Sequence, residues 1–380
     1  MTETISWIHF GDLHISNEGE QNHLDFLHLI AEANRYMRSA IAFGLLSGDN
    51  ADDAEADQYD VVKQAVARLQ LPVEAIPGDH DKAGGDLGLF EDCFQKSLPR
   101  NSSRGRYHFV FLNSVFHWQP PLFGLGAKQM EWLRHDLAAA HRSGQMTTVF
   151  MHAYPSEHEE ARELSALFRE RGVALVEMGH THYNELANDG RTIYAATRST
   201  GQIEEGPVGF SVTTLDTGVI SWKFKPLSEW PLVVITSPGD RRLIVDATNP
   251  AQVVRGTVGI RARVWGEEIE RLTMAIDGNP EQALKATDGC TWAADWDSAQ
   301  VADGLHVLSV TAGAAASQAA DTINILVNQR GAYTSPTRHA LDYENALGAW
   351  PDRHILGTQL GPNEKGRQWP SRHERKHALR

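Results

Sequence analysis

The chain reads as an α/β domain followed by an all-β sandwich, and three observations predict this. In residues 1–230, short apolar runs alternate with segments whose apolar residues recur at helical spacing. In residues 231–330 the period changes to a strict alternation of two, broken by turn signals about every ten residues. Between the two patterns, the stretch from Pro226 to Pro231 is the expected linker.

Each element follows from its own residues. Ile5–Phe10 is a strand-like run ending at Gly11-Asp12, and Asn22–Phe43 spaces Leu24, Leu27, Leu29, Ile30, Met37 and Ile41 as one helix. Gly44–Ser47 is a second short run, followed by a helical stretch near Ala54–Leu69. Val73–Ile76 leads into Pro77-Gly78. Ala127–Arg142 is a further helix, with Met130, Leu133 and Leu137 on one side; Thr147–Phe150 and Ala174–Met178 are again strand-like. Thr213–Asp216 and Val219–Phe224 form a hairpin across Thr217-Gly218. Past the linker, Val258, Ile260, Ala262 and Val264 share one face, with Gly259, Arg261 and Arg263 on the other. Leu272, Met274 and Ile276, then His306, Leu308, Val310 and Ala312, then Ile323, Ile325 and Val327, repeat the pattern. The run Trp296-Asp297 followed by Asp303-Gly304-Leu305-His306 resembles bacterial immunoglobulin-like modules over roughly residues 232–330. Residues 331–380 lack periodicity yet keep Tyr333, Tyr343, Trp350 and Trp369. Disordered segments are poor in aromatics, so an irregular extension packing on the other domains or a neighbouring subunit is expected. The predicted layout is therefore 1–230, 231–330 and 331–380.

Composition narrows the functional classes. A hydrophobic share of 41% supports a real core, and no apolar run approaches the ~20 residues that cross a bilayer. Met1 to Phe10 lacks the basic and apolar pattern of a secretory signal. Cys93 and Cys290 lie in different predicted units and read as reduced thiols. A cytoplasmic protein without membrane association is expected. Residues 1–230 carry 19 Lys+Arg against 32 Asp+Glu, whereas residues 331–380 carry 8 against 5. An acidic catalytic half repels a long phosphate backbone, so a small anionic substrate is expected and a long nucleic acid is not. A homo-oligomer would form through the extension or the all-β module.

Five segments carry the chemistry: Gly11-Asp12-Leu13-His14, Gly48-Asp49-Asn50, Gly78-Asp79-His80-Asp81, Met151-His152 and Gly179-His180-Thr181-His182. Each alone has a duller reading. Asp12 or Asp49 caps a following helix, His152 fills a polar core pocket, and residues 78–81 make a turn. Five such segments, each at an expected strand end, point instead to a common ligand site, because α/β folds gather ligands at the carboxyl ends of their strands. Four imidazoles and three carboxylates form a mixed nitrogen and oxygen set that suits Mn, Fe, Zn or Co better than Ca or Mg. His180 and His182, two apart in an extended segment, would point the same way, each reaching one of two adjacent metals.

These motifs resemble the calcineurin-like metallophosphoesterase family over roughly residues 5–225. The resemblance implies that Asp12, His14 and His182 hold one metal, that Asp79, His152 and His180 hold the other, and that Asp49 bridges them. It also implies hydrolysis of a phosphate ester, with His80 protonating the leaving group and Asp81 orienting His80. Residue 79 is Asp where the family has Asn, which lowers the net charge of a two-metal centre from +2 to about +1. That charge, and the Asp12-x-His14 form, favour a small diester such as a cyclic nucleotide or a glycerophosphodiester. A phosphomonoesterase or phosphonate-ester hydrolase is the rival within the class, and a non-catalytic metal- or ligand-binding protein with an interaction module is the rival outside it. Loops 17–21, 84–87, 153–158 and 183–185 would set the substrate, with Arg35, Lys82, Arg198 and Tyr154 as phosphate or leaving-group contacts.

Overall fold

The structure, a computed structural model, describes residues 4–38, 40–82, 86–115, 123–314, 318–335, 338–339 and 342–356. Its strands are β1 (Thr4–Phe10), β2 (Gly44–Leu46), β3 (Val73–Ala75), β4 (Arg100–Arg104), β5 (Tyr107–Phe111), β6 (Met146–Phe150), β7 (Val173–Met178), β8 (Glu185–Asn188), β9 (Ile193–Ala196), β10 (Gly209–Asp216) and β11 (Val219–Pro226). The all-β region adds β12 (Leu232–Ser237), β13 (Thr257–Trp265), β14 (Ile269–Ile276), β15 (Gln282–Asp288), β16 (Thr291–Asp297), β17 (Gly304–Ala314) and β18 (Gln318–Val327). Among the described residues, five α-helices lie in the first half: α1 (Gln21–Tyr36), α2 (Ala56–Val66), α3 (Gly88–Phe94), α4 (Gly126–Arg142) and α5 (Ala161–Arg171). None of the described helices is long and apolar enough to cross a membrane.

Two sheets form the α/β half. One has the order β11-β10-β1-β2-β3, the other β4-β5-β6-β7-β9-β8. Within them β1, β2 and β3 run parallel, as do β5, β6, β7 and β9. The strands read as continuous apolar runs because both faces are covered. Between the sheets lies an aromatic layer, in which Trp7 stacks on Phe43 at 5.7 Å and meets Phe109 and Phe150 edge-on. On the outer face of the first sheet, Phe10 and Ile8 pack with Phe26, Leu29 and Ile30 of α1 and Val62 of α2. On the outer face of the second, Val110, Val149 and Val176 pack with Leu133 and Leu137 of α4 and Leu164 and Phe168 of α5. The result is a four-layer sandwich, helices outside and sheets within.

The helix expected over Asn22–Phe43 ends at Tyr36. Its apolar pattern runs on because the connecting segment is buried too: Ile41 joins the layer under α1, and Phe43 belongs to the inter-sheet layer. Burial, not helicity, sets that part of the pattern.

Beyond the linker, the seven strands pair in the order β12-β13-β16-β15-β14-β17-β18. Alternate residues Val258, Ile260, Ala262, Val264, Leu272, Met274, Leu308, Val310, Ile323 and Ile325 face one core. The opposite face of β13 turns toward the α/β half. There Arg261 pairs with buried Asp216 at 2.7 Å, and Arg263 donates to the Ser6 hydroxyl and the Ala40 carbonyl. Residues 342–356 lie along the second sheet: Ala346 bridges Ala187 of β8, and Trp350 and Ile355 enter the inter-sheet layer. Trp369 falls outside the described residues, as does the start of the 84–87 loop.

Candidate metal centre

All five motifs sit just past the carboxyl ends of parallel strands: Asp12 and His14 after β1, Asp49 after β2, Asp79 after β3, His152 after β6, and His180 and His182 after β7. The two sheets thus deliver their ligand-bearing ends to one rim. Beneath it, Glu177 of β7 reaches across the inter-sheet layer. It accepts from the Trp7 indole at 2.8 Å and from the Thr213 hydroxyl, and it faces His9 Nδ1 at 3.1 Å. The strands that carry ligands from opposite sheets are thereby tied together.

The side chains form two groups that share one residue. Asp12, His14, Asp49 and His182 make one; Asp49, Asp79, His152 and His180 make the other. Asp49 turns one carboxylate oxygen to His14 Nε2 at 3.6 Å and the other to His152 Nε2 at 3.4 Å. Across the first group, His14 Nε2 faces His182 Nε2 at 3.1 Å, and His182 Nε2 lies 3.5 Å from Asp12. In the second, Asp79 Oδ1 lies 3.2 Å from His152 Nε2 and 3.3 Å from His180 Nδ1. Outer partners aim these rings. His152 Nδ1 lies 2.8 Å from the Ser47 carbonyl, so it carries the proton and leaves the Nε2 lone pair facing inward. His14 Nδ1 faces Asp52 at 3.0 Å, and His180 Nε2 faces Glu157 at 3.4 Å.

The backbone is strained where these ligands sit. His14, Asp49, His180 and His182 have φ of 45°, 51°, 65° and 64°, a region that costs non-glycine residues about 1–3 kcal/mol each. The extended His180-Thr181-His182 segment expected from sequence is instead a tight turn, closed by Thr181 N–H on the Gly179 carbonyl at 2.8 Å. That turn directs the two imidazoles to different groups. Glycine is required beside them: a Cβ on Gly179 would lie 2.0 Å from Asp12 Oδ1, and one on Gly78 would lie 2.1 Å from Asp49 Oδ1.

Charge in the cluster is balanced by proton sharing. Burial lifts the Asp12 carboxyl to about 7, against the pull of His152 and His180. Asp49 is buried too, yet His152 and His14 hold its carboxyl down at about 2. Asp79 is held below the usual carboxylate range, burial notwithstanding, by His180 and His152. His152 is raised despite its burial, by Asp49 and Asp79. A second proton on His152, at Nε2, would offset the carboxylates, and cations entering the site would displace it. A mixed Asp and His donor set arranged around a shared carboxylate fits a pair of metal ions.

His80 stands at the open side. Its side chain is 40% exposed, against 2% for Asp49 and 0% for His152. Its amide donates to Asp49 Oδ1 at 2.9 Å, its ring meets the His14 ring edge-on at 4.6 Å, and Nδ1 bonds the Asp52 carbonyl. Burial lowers its affinity for a proton, but Asp49 and Asp52 reverse this and raise its pKa. The orienting contact expected of Asp81 is made by Asp52 instead. Asp81 is buried and accepts from Gly78 N–H, Asn50 N–H and Nδ2, Ala51 N–H and the Tyr59 hydroxyl. Residues 79–81 form one 3₁₀ turn, and three residues per turn send their side chains in three directions.

Three of the four residues considered for substrate contact have other work. Arg35 is exposed and pairs with Glu267 of the all-β region. Arg198 is buried over the Phe224 ring and donates to the Glu205, Pro207 and His354 carbonyls. The Tyr154 hydroxyl is buried, 3.5 Å from Glu185. Lys82 directly follows Asp81. Sequence reasoning missed Asp52, Glu157, Ser47 and Gln202, whose amide lies 3.2 Å from His14 Nδ1. Asp52 alone carried a signal, as the third residue after Asp49 in an acidic run.

A four-layer α/β sandwich with Asp and His clustered around a shared carboxylate has the form of a dimetal phosphoesterase. Residues 6–184 match the family model described as calcineurin-like phosphoesterase. Solved structures that resemble the chain include a dimetal phosphatase from Danio rerio, 12% identical, with a TM-score of 0.49 over 59% of this chain and 97% of that one. Another is GAP50, the anchor in the inner membrane complex of Plasmodium, 15% identical, with a TM-score of 0.44 over 60% and 85%. A predicted phosphoesterase from Streptococcus pneumoniae is 10% identical, with a TM-score of 0.33 over 60% and 93%. No curated protein sequence matches the chain.

Proposed function

We infer that the protein is a two-metal phosphodiesterase acting on small diesters, with a cyclic nucleotide or a glycerophosphodiester as the substrate class. The observation that carries the reading is Asp49, whose two carboxylate oxygens face two separate ligand groups. Asp12, His14 and His182 hold one ion, and Asp79, His152 and His180 hold the other. The donor set suits Mn, Fe, Zn or Co. When bound, such a pair supplies a nucleophilic water at neutral pH and neutralises phosphoryl oxygens. His80 holds a proton at the open side and passes it to the departing alkoxide, while Asp52 keeps the imidazole charged and in place. Asp81 takes no part in proton transfer; it locks the 48–51 loop to the 78–81 turn. The third carboxylate, Asp79, leaves the centre near +1, which suits a monoanionic diester better than a dianionic monoester. In this reading residues 1–230 are the catalytic domain, residues 231–330 an immunoglobulin-like module and residues 331–380 an extension.

The test compares bis-p-nitrophenyl phosphate with p-nitrophenyl phosphate on chelated protein, with Mn, Zn, Co and Fe each added back. Diester turnover should exceed monoester turnover, and His80→Ala should lose it with metal content intact. Full activity in His80→Ala would remove His80 from its role. A preference for the monoester would overturn the substrate class.

A further inference from the structure

The segment Asp342–Ile355 touches the protein on both sides of the His180-Thr181-His182 turn. On one side, the buried Asp342 carboxylate accepts the Ser156 amide at 3.0 Å. Ser156 sits in the turn Pro155–Glu157, and the next residue, Glu157, faces His180 Nε2. On the other side, the His354 carbonyl accepts the Asn184 side-chain amide at 2.9 Å, and Asn184 in turn accepts the Arg198 amide at 2.9 Å. Asn184 lies two residues past His182 and is fully buried. Between these points the segment joins the sheet edge, with Leu347 N–H on the Leu186 carbonyl at 2.8 Å. Further contacts pin the same segment: Arg353 pairs with buried Asp321 of β18, and Trp350 lies beneath the Arg242 guanidinium at 3.3 Å.

Such a layout exceeds what simple coverage of an apolar layer needs. Trp350 and Ile355 would shield that layer without Asp342 or the His354 carbonyl. One polar contact instead reaches the turn that sets Glu157 behind His180, and the other reaches the chain leaving His182; both of these ligands are held in left-handed backbone. Strained ligand residues keep their geometry only when their surroundings over-determine it, and groups that orient a metal-binding imidazole govern its affinity.

We propose that residues 342–355 are a positioning strap for the metal centre: Asp342 fixes the turn that sets Glu157 behind His180, and the His354 carbonyl, through Asn184, fixes the chain leaving His182. The proposal rests on the two-metal reading above. Asp342, Glu157 and Asn184 act through the ligands and touch no substrate.

The test uses the full chain and Co²⁺ as the probe, read by its visible absorption and by competition with a chelator. Wild type should take up two ions. Asp342→Ala should weaken one of them about ten-fold or more and change the absorption band. Asp342→Asn, which keeps an oxygen for the Ser156 amide, should restore both. Arg261→Met removes the ion pair with Asp216, outside the strap; it should lower the unfolding midpoint of chelated protein yet titrate like wild type. If Asp342→Ala does not fold, Glu157→Met probes the same link from the other end and should weaken the same ion. Wild-type titration in Asp342→Ala or Glu157→Met, or an equal loss in Arg261→Met, overturns the strap. A wild-type chain that takes up no ions overturns the metal centre itself, and the strap with it.

Discussion

Replacing Asp81 by Ala should cost the protein stability before it costs chemistry. Five donors converge on this carboxylate: the Gly78, Asn50 and Ala51 amides, the Asn50 side chain and the Tyr59 hydroxyl, at 2.6–3.2 Å. Asp81 is 1% exposed, so bulk water cannot take over. A buried donor without an acceptor costs ~1–3 kcal/mol. With a trapped water or two serving some of the five, the loss comes to about 4 kcal/mol, at the severe end for single substitutions. Urea unfolding of chelated protein would read it as a lower midpoint with an unchanged slope. Asp81→Asn keeps the shape but turns one donor toward other donors, and should fall between the two. If Asp81→Ala unfolds within about 0.5 kcal/mol of wild type and is nonetheless inactive, Asp81 orients His80 after all and the anchoring account fails.

Three further outcomes are expected. Asp79→Asn should stay active and shift its alkaline pH dependence to lower pH, because a more positive centre ionises its water sooner; an inactive variant with both ions bound would contradict this. Gly179→Ala, whose new Cβ would fall 2.0 Å from Asp12 Oδ1 and 2.7 Å from the Ser47 hydroxyl, should retain its circular dichroism spectrum but lose an ion by metal analysis. Two ions per chain would refute it. Buried His158 bonds the Tyr154 carbonyl through Nδ1, and burial pushes its pKa down to about 4. The unfolded chain binds that proton first, so the stability His158 supplies is complete above about 6.5 and fades as pH falls through about 4, a span of about 3 kcal/mol. His158→Gln should flatten this part of the profile in chelated protein; an unchanged profile would assign the acid loss elsewhere.

Much of the catalytic half was legible because short parallel strands are apolar on both faces and stop where the chain turns polar. Ile5–Phe10, Val73–Ile76 and Ala174–Met178 announce their own ends this way, and the ligands follow within a few residues. The period-2 faces of β13, β14 and β18 were equally plain. What stayed hidden depends on tertiary contact. Asp81 sits beside His80 in sequence, but the 3₁₀ turn separates their side chains, and Asp52 reaches His80 from another loop. Glu157 gains meaning only because its turn folds against His180. The left-handed backbone at His180 and His182 has no sequence signature, since only a few per cent of non-glycine residues adopt it and residue type does not mark which ones do. Helix α5, with buried residues among many charges, and the short strands β8 and β9 lack a pattern strong enough to read alone.

The all-β region is more than an appendage. Leu232, Val234 and Trp265 belong to the same apolar layer as Phe10 and α1, and Arg261 and Arg263 extend into polar pockets of the neighbouring sheet. A chain severed after Trp230 would bare that layer to water and strand Asp216 without its guanidinium. The α/β half therefore leans on its neighbour as a room leans on a shared wall.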